Sequence, residues 1–282
     1  MLNVLARAYA ANSAGRDPEL IFPMLKVELH THTADDPIDR VPHTTKELID
    51  RAATLGYDAL AITLHERQLD VQPFRAYAKE RGVVLIPGVE RSVQGRHVLL
   101  LNFRSGTEDV HTFGDLAKLK QRGPGLVVAP HPYFPAPHCL LGELDRHPDL
   151  FDAVEYNAMF TSSLNFNRPA ERWAARNRKP MVGNCDVHRL RQLGTTYSLV
   201  AAERDPDAIC EAIAAGHVQV ESRPLAWVDA ASIFAALVIG DWVPRFSGPA
   251  SCAPVEPVGA PLFRAHWKAF RRSQGFRSAH RV

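Results

Sequence analysis

Short apolar runs along the chain end repeatedly in a residue able to bind a metal ion. Residues 25–29 lead into His30-Thr31-His32, and residues 59–64 lead into His65. Residues 83–89 end at Glu90, residues 126–130 at His131, and residues 181–185 at Asp186-Val187-His188. Each run has the length and apolar content of a strand buried on both faces. Between them the pattern lengthens to the helical period. Thr44 and Glu47 form a capping box, behind which Leu48, Ile49, Ala52 and Leu55 share one face until Gly56 stops the helix. Further helices are predicted over 73–81, ended by Gly82, over 113–122, ended by Gly123, and over 167–179. A last one, over 205–215, has Asp205 as cap and Pro206 in its first turn.

This alternation predicts a parallel sheet with helices outside it, joined by right-handed crossovers. Seven or so strands favour a closed or nearly closed barrel, in which the C-terminal strand ends share the face where active sites are built. After residue 224 the character changes. Residues 226–243 predict one apolar-faced helix on the barrel, and then Pro244, Gly248, Pro249, Pro254, Pro257, Gly259 and Pro261 break the chain. The stretch 264–282 carries Arg264, Lys268, Arg271, Arg272, Arg277 and Arg281 and no acidic residue. It reads as a solvated tail, or as an arm contacting a polyanion such as nucleic acid or a neighbouring subunit. The expected division is an N-terminal extension (1–23), a metal-dependent hydrolase domain (24–224), and a C-terminal helix with a basic tail (225–282).

Composition adds mainly exclusions. The 282 residues are 46% hydrophobic and 23% charged, ordinary for a globular protein, and the net charge of +2 selects no partner. Cys139, Cys185, Cys210 and Cys252 form no C-x-x-C pair, which points away from a zinc ribbon or disulfide framework and toward a cytoplasmic location. The first 23 residues lack a signal-peptide pattern, and no apolar run approaches the length of a membrane span. Neither G-x-G-x-x-G nor G-x-x-x-x-G-K-[ST] occurs, which excludes the common nucleotide-binding loops.

The strand-end residues carry the chemistry. On an extended segment side-chain direction repeats every two residues, so both imidazoles of His30-Thr31-His32 point the same way, and Asp186-Val187-His188 repeats the device. Nitrogen and oxygen donors without thiolate suit Zn²⁺, Mn²⁺ or Fe. Such a set leaves coordination positions for water and substrate, unlike a closed structural zinc site. Two ions about 3.5–4 Å apart lower the pKa of a bridging water and neutralise a phosphoryl oxygen together.

The order H-x-H, I-T-x-H, G-V-E, A-P-H-P, D-x-H over residues 24–224 resembles the PHP family, the polymerase and histidinol phosphatase superfamily. The resemblance implies a distorted (β/α)7 TIM-like barrel holding two to three divalent metals (Mn, Zn or Fe) and hydrolysing phosphate esters. By position it assigns His30, His32, Glu90 and Asp186 to a first metal, and Glu90, His97 and His131 to a second. His65 and His188 go to a third, completed by a residue from the loop after the H-x-H: Asp36 first and Asp39 second, with Asp35 and His43 also on offer. His111, His138, His147, His217, His266 and His280 are not expected to be ligands. Glu155, on a strand of its own, is a candidate to orient an imidazole.

Phosphate also calls for a cationic clamp. Arg189 and Arg67 both follow a predicted ligand at the catalytic face, Arg189 being the better placed. The expected catalytic residues are therefore Glu90, Asp186 and Arg189, acting on a phosphorylated small-molecule substrate or nucleotide through a metal-bridged hydroxide. The alternatives are an exonuclease or oligonucleotide phosphoesterase using the basic tail, and a non-catalytic metal-binding module. The spacers between His97, His131 and Glu155 are too short for an inserted cap domain, which leaves the site open.

Overall fold

The computed structural model describes residues 23–240. Its strands are β1 (Met24–Glu28), β2 (Ala59–Ile62), β3 (Val84–Val93), β4 (Arg96–Leu101), β5 (Leu126–Ala129), β6 (Ala153–Asn157), β7 (Met181–Asn184), β8 (Thr196–Ala201) and β9 (Val218–Ser222). Its helices are α1 (Thr45–Thr54), α2 (Gln72–Glu80), α3 (Phe113–Arg122), α4 (Gly142–Arg146), α5 (Arg168–Asn177), α6 (Pro206–Ala214) and α7 (Trp227–Gly240). The capping box forms as the sequence predicts: Glu47 N donates to Thr44 Oγ1 at 3.3 Å while Thr44 N donates to Glu47 Oε2 at 2.8 Å. Asp205 likewise caps α6, accepting from Asp207 N and Ala208 N. The short α4 is not anticipated by the sequence pattern. The extension 1–22 and the basic stretch 264–282 lie outside the described residues.

The strands make one nearly closed, barrel-shaped sheet in the order β7-β6-β5-β4-β3-β2-β1-β8-β9. It is not wholly parallel, and this corrects the sequence expectation. β4 pairs antiparallel with β3 and β5, and β8 pairs antiparallel with β1 and β9. The cause at β4 is local. Gln94 and Gly95, both at positive φ (50° and 76°), make a two-residue hairpin turn, too short for the crossover a parallel partner needs. Alternate strand residues (Val27, Leu29, Ala61, Ile86, Leu99, Val128, Val182) fill the barrel interior. α6 packs across β3, β5 and β8 and adds Ile209 and Ile213 to that interior, closing one end. The other helices cover the outside, with α1 and α2 over one flank and α3 and α5 over the other.

Closure uses two devices at two depths. All of β1 but its last residue is paired with β8 (Met24 with Ala201 through Val27 with Ser198), while beyond β1 Thr31 bridges directly to Val187 in the parallel sense. Deeper down, β7 meets β8 without a ladder. Ser198 Oγ accepts from Gly183 N at 2.9 Å and donates to Gly183 O at 3.2 Å. A Cβ on Gly183 would lie 2.7 Å from Tyr197 O and 2.9 Å from Val220 Cγ1. Because the obstacle at Gly183 includes backbone, Gly183→Ala should cost about 2 kcal/mol of stability by forcing the seam apart. Gly142→Ala, with nothing within 4 Å of the new methyl, should change stability by less than about 0.5 kcal/mol. Urea unfolding of the two variants checks this, and equal midpoints would remove Gly183 from the seam.

Candidate metal centre

The parallel strands deliver His30 and His32 just past β1, His65 past β2, Glu90 near the end of β3, His131 past β5, and Asp186 and His188 past β7. All reach one face because parallel strands end together. His97 opens β4, which would put it at the opposite end of a parallel strand. Since β4 runs the other way, its start lies on the same face, with His97 opposite Ser92 of β3. The hairpin is what brings His97 into the group.

Glu90 is the centre, 2% exposed. Its Oε2 lies 3.2 Å from His30 Nε2, 3.3 Å from His32 Nε2 and 3.2 Å from His65 Nε2. Its Oε1 turns the other way, 2.6 Å from His97 Nδ1 and 3.2 Å from His131 Nε2. Asp186 Oδ1 approaches His30 Nε2 at 3.4 Å, His32 Nε2 at 3.6 Å and His188 Nδ1 at 3.4 Å, and its side chain is a quarter exposed. His30 Nε2, His32 Nε2, His97 Nδ1 and Asp186 Oδ1 are buried without a hydrogen-bond partner, despite these short distances. They are near the right oxygens and misaligned for hydrogen bonds, so their polarity is unanswered by protein alone. Nitrogen and carboxylate donors converging from several sides are what a divalent cation requires. Candidate groups include His30, His32 and Glu90; His65, Glu90 and His97; His32, His65 and His188; and His30, His131 and Glu155.

An outer layer holds these rings. Glu155, wholly buried on β6, takes His30 Nδ1 at 2.9 Å and accepts from His131 N at 2.5 Å. Such carboxylates fix the tautomer and direction of a metal-facing imidazole. Asp36 lies behind the inner ring. Its Oδ2 meets His32 Nδ1 at 2.8 Å and His65 Nδ1 at 3.1 Å and accepts from His65 N at 2.9 Å, while its Oδ1 accepts from Ile38 N and Asp39 N. Asp39, the sequence alternative, is the loop acid placed on His188, with Oδ2 at 2.9 Å from Nε2. Gln192 steadies the last motif, accepting from His188 N and Arg189 N and donating to Asp186 O. Glu66, His131 and Asp186 have positive φ (59°, 28° and 51°), an uncommon conformation for residues with a Cβ, and each stands at the mouth.

Two histidines set aside or left open by the sequence sit here as well. His138 stacks on His97 with ring centroids 4.4 Å apart, and His97, His131 and His138 could together hold an ion. The signal was weak: His138 lies in a proline-rich loop, on no strand. His43, 4% exposed, has neither ring nitrogen hydrogen-bonded and belongs to none of the candidate groups. Burial, then the charges of His188 and Arg189, pushes its pKa down. Arg67 donates to Asp35 O, and Arg189 forms no ion pair among the described residues. His111 lies against Arg91 and His147 against Phe113, away from the cluster.

Charges in the cluster are mutually supporting. Burial opposes a charge on His30, but Asp186, Glu90 and Glu155 outweigh it and push its pKa up to about 10. Burial likewise opposes the Glu90 charge, yet His97, His30 and His65 hold its carboxyl well below the usual range. Below the barrel mouth, burial pushes Glu28 up to about 8. In protein stripped of metal, both raised groups favour the folded state when protonated. The His30 contribution is complete below its ordinary 6.5 and lost as pH rises through about 10. That of Glu28 is complete below 4.5 and lost through about 8. Ion binding needs deprotonated imidazoles and so strengthens with pH. The melting temperature of chelator-treated protein should therefore fall between about pH 6 and 9, while protein with added Mn²⁺ should not follow it. Parallel curves would contradict this electrostatic account.

Residues 165–218, from α5 through the Asp186-Val187-His188 motif to the start of β9, match the family model described as PHP-associated. No curated protein matches the chain. Among solved structures, PsfC from Pseudomonas syringae PB-5123 is similar in fold, with a TM-score of 0.57 and 18% identity over 78% of this chain and 100% of that one. The lesion-specific endonuclease PfuEndoQ from Pyrococcus furiosus aligns with a TM-score of 0.44 and 13% identity over 89% of this chain and 83% of that one. The motifs thus stand in order on one face of a distorted barrel, and the PHP-associated match spans the last of them.

Proposed function

We propose that the chain is a metal-dependent phosphoesterase acting on a small phosphorylated metabolite or nucleotide, with two to three divalent ions (Mn, Zn or Fe) as cofactors. The observation that carries this reading is the division of Glu90, one oxygen among His30, His32 and His65 and the other between His97 and His131. In this reading His30, His32, Glu90 and Asp186 hold one ion, Glu90, His97 and His131 a second, and His65 and His188 a third. Asp39 completes the third position in place of Asp36, because the Asp36 oxygens are already taken by two imidazoles and three backbone N–H groups. Bound as a pair, such ions activate water and neutralise charge on a phosphoryl oxygen.

The chain's own residues position and hold. Glu155 and Asp36 lock the rings of His30, His32 and His65, so that their nitrogens need no reorganisation when substrate arrives. Asp186 is the ring carboxylate with exposed surface, and its buried, unpartnered Oδ1 is the oxygen that would share the ion with His30 and His32 beside the open side of the site. Arg189, adjacent to His188 and without an ion pair among the described residues, can grip two non-bridging phosphate oxygens. The second reading, cleavage of nucleic-acid ends, rests on the acid-free basic stretch 264–282.

The test is a screen of phosphorylated metabolites, nucleotides and short oligonucleotides, using chelator-treated protein reloaded with Mn²⁺ or Zn²⁺. Hydrolysis should vanish on stripping and return with about two to three ions per chain. Less than about one ion after reloading would overturn the reading, and cleavage confined to oligonucleotides would promote the second. Glu90→Ala should lose ions on both sides and roughly a thousandfold or more in rate. Arg189→Ala should keep its ions and raise KM roughly ten- to hundredfold, the scale of one charge-assisted contact. An unchanged KM would remove Arg189 from the substrate site.

A further inference from the structure

The loop that follows His131 is built to hold one more imidazole at the mouth. It carries Pro132, Pro135 and Pro137, which limit its backbone freedom. Leu141 N closes it by donating to Pro132 O at 2.8 Å, and Cys139 N donates to Ala136 O at 3.2 Å. The start of β4 grips it on both sides of His138. The Arg96 guanidinium donates to Pro137 O and Cys139 O, and His97 N donates to His138 O at 2.7 Å. Cys139 Sγ meets His131 Nδ1 at 3.4 Å, tying the same loop to a candidate ligand.

The ring of His138 lies 4.4 Å from that of His97, inclined by 21°, and 5.5 Å from that of His131, inclined by 83°. A nitrogen from each of the three rings lies within 4.8 Å of the others. Every other imidazole in the cluster faces a carboxylate oxygen: His30, His32, His65, His97 and His131 face Glu90, and His188 faces Asp39 and Asp186. Among the described residues, His138 alone in this group has no such partner. The ring is half-buried, held by five contacts to the backbone of its loop, packed on an imidazole and paired with no protein side chain, which leaves it placed for a ligand at the mouth.

We propose that His138 is a ligand of the ion at His97 and His131, making with Glu90 Oε1 a site of three imidazoles and one carboxylate. This deepens the metal-dependent reading and rests on it. The two sides of Glu90 then differ in chemistry. The side with His30, His32 and Asp186 is mixed nitrogen and carboxylate, and the side with His138 is rich in imidazole, which favours Zn²⁺ or Fe over harder ions.

The experiment compares wild type with His138→Ala and His138→Phe. The phenyl ring preserves the stack on His97 and lacks nitrogen, so it separates ligation from packing. Full-length proteins are reloaded with Zn²⁺, challenged with graded chelator, and assayed for metal per chain, with circular dichroism checking the fold. Both variants should release one ion at a chelator strength at least about tenfold lower than wild type, and Co²⁺-loaded samples should show an altered visible absorption spectrum. Variants that keep wild-type metal content, chelator resistance and Co²⁺ spectrum would overturn the proposal. So would His138→Phe matching wild type while only His138→Ala fails, since stacking would then be the role. Wild type that takes up no metal would fail at the first step and sink the metal-dependent reading along with this one.

Discussion

Glu90 is a carboxylate removed from water and set among five imidazole nitrogens, none more than 3.3 Å away. Burying such a charge costs several kcal/mol unless its surroundings return the loss. The strand ends supply that return, because each of them aims positive or metal-seeking groups at the same two oxygens. No single strand could do this. The position of Glu90 near the end of β3, with His65 bridged beside it and His97 across the hairpin, requires the barrel before it can be satisfied. The site and the fold are thus the same set of constraints seen from two ends of each strand.

Around that centre, orientation is delegated to a second tier of acids. Glu155 serves His30 and the backbone of His131, and Asp36 serves His32, His65 and three N–H groups of its own surroundings. Both acids are consumed by this work. Their side chains leave the imidazole nitrogens on the far side free, which is the division of labour that second-tier carboxylates perform at metal sites. The positive φ values of His131 and Asp186 belong to the same economy of placement: backbone strain is accepted where a strand must turn its last side chain inward.

Much of this was legible in the residues. Apolar runs ending in His, Glu or Asp marked β1, β2, β3, β5 and β7 and, through them, the face that carries the candidate site. What stayed hidden was whatever depended on chain direction or on loops. His97 looked misplaced because it opens a strand, and only the Gln94-Gly95 turn, which reverses β4, explains it. Asp36 and Asp39 are near neighbours in a loop, where spacing carries no directional information. Three-dimensional closure separates one behind the rings from the other beside His188. His138 had neither strand nor periodicity to recommend it. Its placement comes from contacts with Arg96 and His97, which no local pattern encodes.

The uneven closure of the barrel has a further consequence. At the mouth the join is backbone to backbone, with His32 N donating to Val187 O and Val187 N to His30 O, so the two segments that carry candidate ligands are stitched to each other directly. Deeper down, the wall between β7 and β8 has no backbone ladder and is tied by side chains, Ser198 Oγ to both polar groups of Gly183 and Cys185 Sγ to Thr196 O. Wear in the two regions is therefore unequal. A change at Gly183 or Ser198 acts on the lower seam first, while the rim hydrogen bonds between residues 30–32 and Val187 do not run through it. The molecule resembles a drawstring purse whose cord is the part that matters: the bag can be recut, and the opening still closes on the same grip.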